Sequence, residues 1–181
     1  MYILIIILII AYYLYHTIYY YESNKDYINI RLPFIKKNIK ENTKWIDKLF
    51  HTNHNDVIHR YDEFILAKDR KSINNKFYIL AIPQKQIYNI RHLTKQDIPI
   101  LLDMKRAGIN YAKSKGIDEL RIFFHYIPSI YQLHLHFCAE DHNMVVEDAS
   151  YYLDDVIKGL EKDSSYWWNY EFKIKYSIDD V

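Results

Sequence analysis

The chain opens on an almost uninterrupted apolar run, MYILIIILIIAYYLYHTIYYY, with no acidic or basic side chain before His16. As a helix this stretch would reach roughly 30 Å, the thickness of a bilayer core, so the pattern predicts a transmembrane anchor over residues 1–21. It has no basic leading region and no small-residue cleavage site, which argues against a removed signal peptide. Tyr12, Tyr13, Tyr15, Tyr19, Tyr20 and Tyr21 crowd its far end, where amphipathic rings favour the headgroup layer. Lys25, Arg31, Lys36, Lys37, Lys40, Lys44 and Lys48 follow. The positive-inside rule therefore predicts a single-pass membrane protein with the rest of the chain facing the cytoplasm. A buried Ile-rich strand or an interfacial helix is the structural alternative.

Beyond the anchor the pattern changes. Residues 22–41 are polar and basic, with one proline and no clear period, which predicts a juxtamembrane linker and a folded domain over 42–181. NTKWIDKLF reads as a short helix with Asn42 as N-cap and Trp45 and Leu49 on one face. DVIHRY, EFILA and FYILAI read as antiparallel strands. The segment from Leu93 to Gly116 carries the clearest helix signals: Thr94 as cap, Asp97 three residues on, a Leu93–Ile98 staple, and Gly116 as stop. ELRIFFH and YQLHLHFCAE are strands joined by a tight YIPSI connection in which Pro128 cannot donate to a ladder. Ser150 to Leu160 reads as helix. YEFKIKYSI alternates Tyr170, Phe172, Ile174 and Tyr176 on one face, as a half-buried strand does. The predicted class is α+β, an antiparallel sheet with helices mainly on one side.

Composition narrows the function. With 181 residues, 50% hydrophobic content, 3 Gly and 4 Pro, the chain can bury one sizeable core. The formal charge of +1 excludes a general nucleic-acid binder, so any anion binding is local. A single cysteine, Cys138, excludes an internal disulfide and a cysteine-based zinc cluster.

Candidate chemistry lies in one strand. Gln132, His134 and His136 alternate, so they share a face while Leu133, Leu135 and Phe137 take the other. A His-x-His pair alone is weak evidence, since it fits a polar strand face or a zinc site as well. With its approach, however, HYIPSIYQLHLHF resembles the scavenger mRNA decapping branch of the histidine-triad superfamily, where a His-Tyr-(Leu)-Pro-Ser loop leads into the triad strand. FILAKDRK, FYILAI and IRHLTKQDIPILLDM resemble further family elements, so the likeness covers roughly residues 45–176.

The resemblance implies a histidine-triad fold and a hydrolase that cleaves 7-methylguanosine cap dinucleotides or short capped RNA fragments, with no cofactor and no metal. His134 would be the nucleophile, with His136, His125 and Ser129 as donors to the phosphate. Lys71 would contact phosphate, Asp69 the capped nucleoside, and Trp45 the methylated base, with Arg70 and Tyr78 near the pocket. Gln132 stands where the family has its first triad histidine, and an amide there predicts retuning rather than loss. His54 or Asn55, with Asp56 adjacent, falls where the family reads guanine with a carboxylate. Relatives of this class pair as homodimers, here through the YILAI edge and the helix from Thr94 to Lys115. Two other functions fit the same residues: a broader hydrolase of diadenosine polyphosphates or nucleoside phosphoramidates, and a membrane-tethered module that binds nucleotides without turnover.

Overall fold

The computed structural model describes residues 19–69, 77–139 and 149–175. Most of the expected anchor therefore lies outside the described residues, as do Arg70 and Lys71. Its last residues are not helical: β1 (Tyr19–Glu22) pairs antiparallel with β8 (Phe172–Lys175). No helix among the described residues is long and apolar enough to cross a membrane.

The expected linker is helical. Ser23 and Asp26 form a capping box at Asn24–Asp26, a π turn follows over Tyr27–Arg31, and α1 runs from Leu32 to His51. Pro33 sits in the first turn of α1, where a missing N–H costs nothing. Tyr27, Ile35, Thr43, Ile46 and Leu49 are buried along one stripe, which is why a lysine-rich segment still docks. Asn42 is thus inside a helix and is not its cap.

Six described strands build the main sheet in the order β2-β3-β4-β6-β5-β7, with neighbouring strands antiparallel. They are β2 (Val57–Arg60), β3 (Phe64–Lys68), β4 (Tyr78–Pro83), β5 (Leu120–His125), β6 (Leu135–Ala139) and β7 (Ser150–Tyr152). Two expectations shorten: β6 starts at Leu135 rather than Tyr131, and Ser150–Tyr152 forms β7 before helix begins at Leu153. A third is overturned. β4, with YILAI inside it, is bonded to β3 and β6 on its two sides, so it offers no free edge to a second copy. A run buried at every position belongs inside a sheet.

Helices cover both faces, not mainly one. On one face α2 (Ile98–Lys113), α3 (Leu153–Lys162) and α4 (Tyr166–Asn169) pack with Leu66, Ile79, Ala81, Leu133, Leu135 and Phe137. On the other, Ile46 and Leu49 of α1 pack with Ile65, Ala67, Leu80 and Ile82. Thr94 and Asp97 form the expected capping box before α2, and Gly116 closes it at φ 74°. Gly108 lets α2 approach β6 closely, because a Cβ there would collide with the Phe137 ring.

His92 gives the fold a pH dependence. Its Nε2 accepts from the Tyr27 hydroxyl at 2.7 Å, and Tyr27, Tyr88 and Trp168 meet its ring edge-on. Burial, helped by Arg91 and Lys36, pushes its pKa down to about 4. The unfolded chain thus binds a proton that the folded chain refuses. The contribution is whole above the ordinary pKa of 6.5 and is lost as pH falls through about 4. Urea midpoints should therefore decline over this window, and His92→Gln should flatten that part of the profile.

Candidate active site

The site is built on the face of β6 not given to the core. Leu133, Leu135 and Phe137 enter the main apolar cluster, which leaves Gln132, His134 and His136 on the opposite side, as the alternation requires. His136 pairs with Leu80 of β4 and Phe123 of β5 across the ladder. Carrying that register two residues further brings His125 opposite His134. The ring centroids of His134 and His136 are 4.7 Å apart, and those of His125 and His136 are 4.6 Å apart. His136 therefore touches both His134 and His125.

Backbone and buried hydroxyls fix these rings. His134 Nδ1 donates to the Gln132 carbonyl at 2.7 Å, so the neutral ring carries its lone pair on Nε2. His136 Nδ1 lies 2.7 Å from the Tyr78 hydroxyl, and its ring stacks on Phe123 at 5.2 Å. Burial pushes the Tyr78 phenol well above its usual pKa, which keeps its proton available to the histidine. Tyr78, expected near the pocket, is buried, with its hydroxyl against His136. His125 Nδ1 lies 3.4 Å from the Ser150 hydroxyl.

The loop between β5 and β6 folds against α1. Asn42 Nδ2 donates to the Ser129 carbonyl at 2.9 Å, and its Oδ1 accepts from the Tyr131 N–H at 2.5 Å. Gln86 Nε2 donates to the Tyr131 carbonyl at 3.0 Å. One amide thus holds both sides of Ile130, and Ser129 stays exposed at the bend. Neither residue was singled out for this: Asn42 looked like a cap, and no pattern marks Gln86. Gln132 is also fixed, its Nε2 donating to the carbonyls of Pro83 and Lys85 at 2.7 and 3.0 Å. That turns its amide away from the histidines and toward a cavity of about 390 Å³, lined also by Thr43, Asp47, Gln84 and Gln86. His125 and His134 instead line a narrower crevice with Asn89, Pro128 and Leu133.

The nucleoside-contact candidates gather at one end of β3. Trp45 packs on the cluster of Ile65, Ala67 and Leu80 with Val57 and Ile130 beside it. Asp69 follows β3, its N–H donating to the Tyr78 carbonyl at 3.3 Å, and the Asp56 carbonyl accepts from the Lys68 N–H at 2.8 Å. Asp56 and Asp69 are thereby neighbours at the strand end. Lys71 and Arg70 continue from there but lie outside the described residues.

A loop-clamped histidine cluster on an antiparallel α+β sheet is the histidine-triad arrangement. The family described as Scavenger mRNA decapping enzyme C-term binding matches residues 44–151, more than half of the chain, and the chain belongs to it. It is 33% identical to the m7GpppX diphosphatase of Ascaris suum over 157 residues, 77% of this chain and 51% of that protein. The human m7GpppX diphosphatase is 28% identical over 179 residues, 88% of this chain and 51% of that protein. The chain thus spans about half the length of the curated relatives it matches. A solved structure, the aprataxin ortholog Hnt3 in complex with DNA, aligns over 80% of this chain and 90% of that one at 14% identity and a TM-score of 0.48. That likeness is too distant to carry an argument.

Proposed function

We propose that this domain hydrolyses the phosphoanhydride of 7-methylguanosine cap dinucleotides or short capped RNA fragments through a nucleotidyl-histidine intermediate. The observation that carries the reading is the His134 Nδ1 to Gln132 carbonyl bond, which leaves Nε2 as the attacking nitrogen. In the first step the Nε2–P bond forms at the phosphorus next to the 7-methylguanosine, the bridging P–O bond to the second phosphate breaks, and a nucleoside diphosphate or the uncapped fragment with a 5′-diphosphate departs. Water then attacks the same phosphorus, and 7-methylguanosine monophosphate leaves. With Tyr78 donating to Nδ1, the His136 proton sits on Nε2, where it can meet a phosphate oxygen as charge builds. His125, Ser129 and Lys71 supply further donors in this reading. Trp45 takes the methylated base, whose positive charge strengthens the π contact, and Asp69 and Asp56 supply carboxylates at its edge.

Binding tests the substrate. Trp45→Ala should weaken cap-analogue affinity by roughly 1–3 kcal/mol, the scale of one aromatic–base stack, while cleavage of diadenosine polyphosphates changes much less. Equal effects on the two would favour the broader nucleotide hydrolase and remove the cap reading.

A homodimer and attachment to a membrane through the apolar N-terminal sequence belong to the same reading. Since β4 is interior, pairing would rest on the outer face of α2, where Leu102 is exposed, and not on YILAI.

A further inference from the structure

The described surface carries a concentration of exposed apolar side chains in one short stretch. Tyr20, Tyr21, Ile28, Ile30 and Phe34 are all exposed, with Ile30 at 71%, Tyr21 at 63% and Phe34 at 59%. Elsewhere, the exposed large apolar residues are scattered singly. The stretch is ordered into one body. β1 is zipped to β8, the Tyr20 hydroxyl accepts from Arg31 at 3.0 Å, and the helix carrying Phe34 buries Tyr27 and Ile35 on its inner side. Its outer side therefore presents Ile30, Pro33 and Phe34 at spacings of three and four residues, with Lys37 next in the series. Lys40, one turn beyond Lys37, is exposed on the same side.

Apolar side chains flanked by lysines, with tyrosines at one end, match the chemistry of an anionic lipid headgroup layer. The apolar sequence of residues 1–18 enters this body directly through β1, so the patch lies where that sequence ends. We infer that the outer face of the segment from Tyr20 to Lys40 lies in the plane of an anionic membrane, with Ile30 and Phe34 inserted below the headgroups and Lys37 and Lys40 against them. On this inference the expected flexible tether is a rigid docking surface that holds the hydrolase domain at a fixed orientation to the bilayer. It does not depend on the chemistry proposed for His134.

The test uses the full chain labelled with an environment-sensitive fluorophore at Ile30→Cys, Phe34→Cys or, as control, the exposed Asp118→Cys before β5; the native Cys138 is buried. Vesicles contain either phosphatidylcholine alone or phosphatidylcholine with phosphatidylserine. With phosphatidylserine present, labels at 30 and 34 should shift to the blue and lose roughly fivefold in quenching by aqueous iodide, as expected at the headgroup–acyl boundary. The label at 118 should stay fully quenchable. Adding Lys37→Glu and Lys40→Glu should restore quenching at 30 and 34. The inference is overturned if labels at 30 and 34 stay as accessible as the one at 118. It is equally overturned if they are already shielded without vesicles, which would mean that residues 1–18 or a second copy cover the patch.

Discussion

His134→Asn is expected to remove nucleotide hydrolysis by at least roughly a thousandfold while leaving the fold intact. Asparagine keeps an amide that can donate to the Gln132 carbonyl, so the local backbone contact survives the change. What disappears is the ring nitrogen that would form the covalent bond. His136 cannot substitute, because its Nδ1 is engaged with Tyr78 and its ring is stacked on Phe123. Water attacking directly would have to cross in one step the barrier that the intermediate divides in two. Single-turnover assays with a cap analogue, run beside urea unfolding, separate lost chemistry from lost fold. Turnover near wild type in His134→Asn would end the covalent mechanism. A histidine nucleophile with nitrogen and hydroxyl donors also needs no Lewis acid, so the same assay should be indifferent to a strong chelator.

Much of this site was legible because its signals are local. The alternation through Gln132 to Phe137 assigns faces without any tertiary information, and the observed burial follows it. The Thr94–Asp97 box and Gly116 are likewise cues read within a few residues. The misreadings share a cause of the opposite kind. Residues 22–41 looked like a linker because lysines and a proline hide a buried stripe whose members are widely spaced, and a π turn at Tyr27–Arg31 breaks the ordinary helical period. Asn42 resembled a cap because its clamp on the loop between β5 and β6 reaches Ser129 and Tyr131, far along the chain. YILAI resembled an edge because apolar runs say that a strand is buried but not which strands flank it. Gln132 sits at the triad position, yet its amide is claimed by two carbonyls of another loop, and no sequence pattern reports that.

The same non-locality hides the interaction on which the N-terminal body depends. Arg91 is 1% exposed and spends its guanidinium on five contacts across the fold. Nε donates to the Tyr126 hydroxyl at 2.8 Å, Nη1 to the carbonyls of Trp168 and Tyr170 at 3.0 Å each, and Nη2 to the Glu22 carbonyl at 2.7 Å. Nη2 also stands 3.5 Å from the Glu22 carboxylate, and the guanidinium carbon lies 4.5 Å from the Phe172 ring centroid. Glu22, itself 3% exposed, accepts from Tyr126 and pairs with Arg31 at 2.5 Å. The cluster therefore ties β1, β8 and the residue next to His125 into one buried network. Burial, reinforced by Glu22, holds the Tyr126 phenol far above its usual pKa, so it stays a donor. Arg91→Met removes the cation but leaves the carboxylate and three carbonyls inside. Breaking one side of such a pair costs about 3–5 kcal/mol, a large share of the roughly 5–15 kcal/mol that holds a domain together. Arg91→Lys should recover little, because one ammonium cannot span the directions that the planar fork serves. Adding Glu22→Gln to Arg91→Met should cost less than the sum of the two changes, since both remove the same Arg91–Glu22 contact. Urea midpoints of the four chains measure the coupling. A loss below about 1 kcal/mol for Arg91→Met would mean that water reaches the cluster and that the clasp between the chain ends is not what secures the N-terminal body.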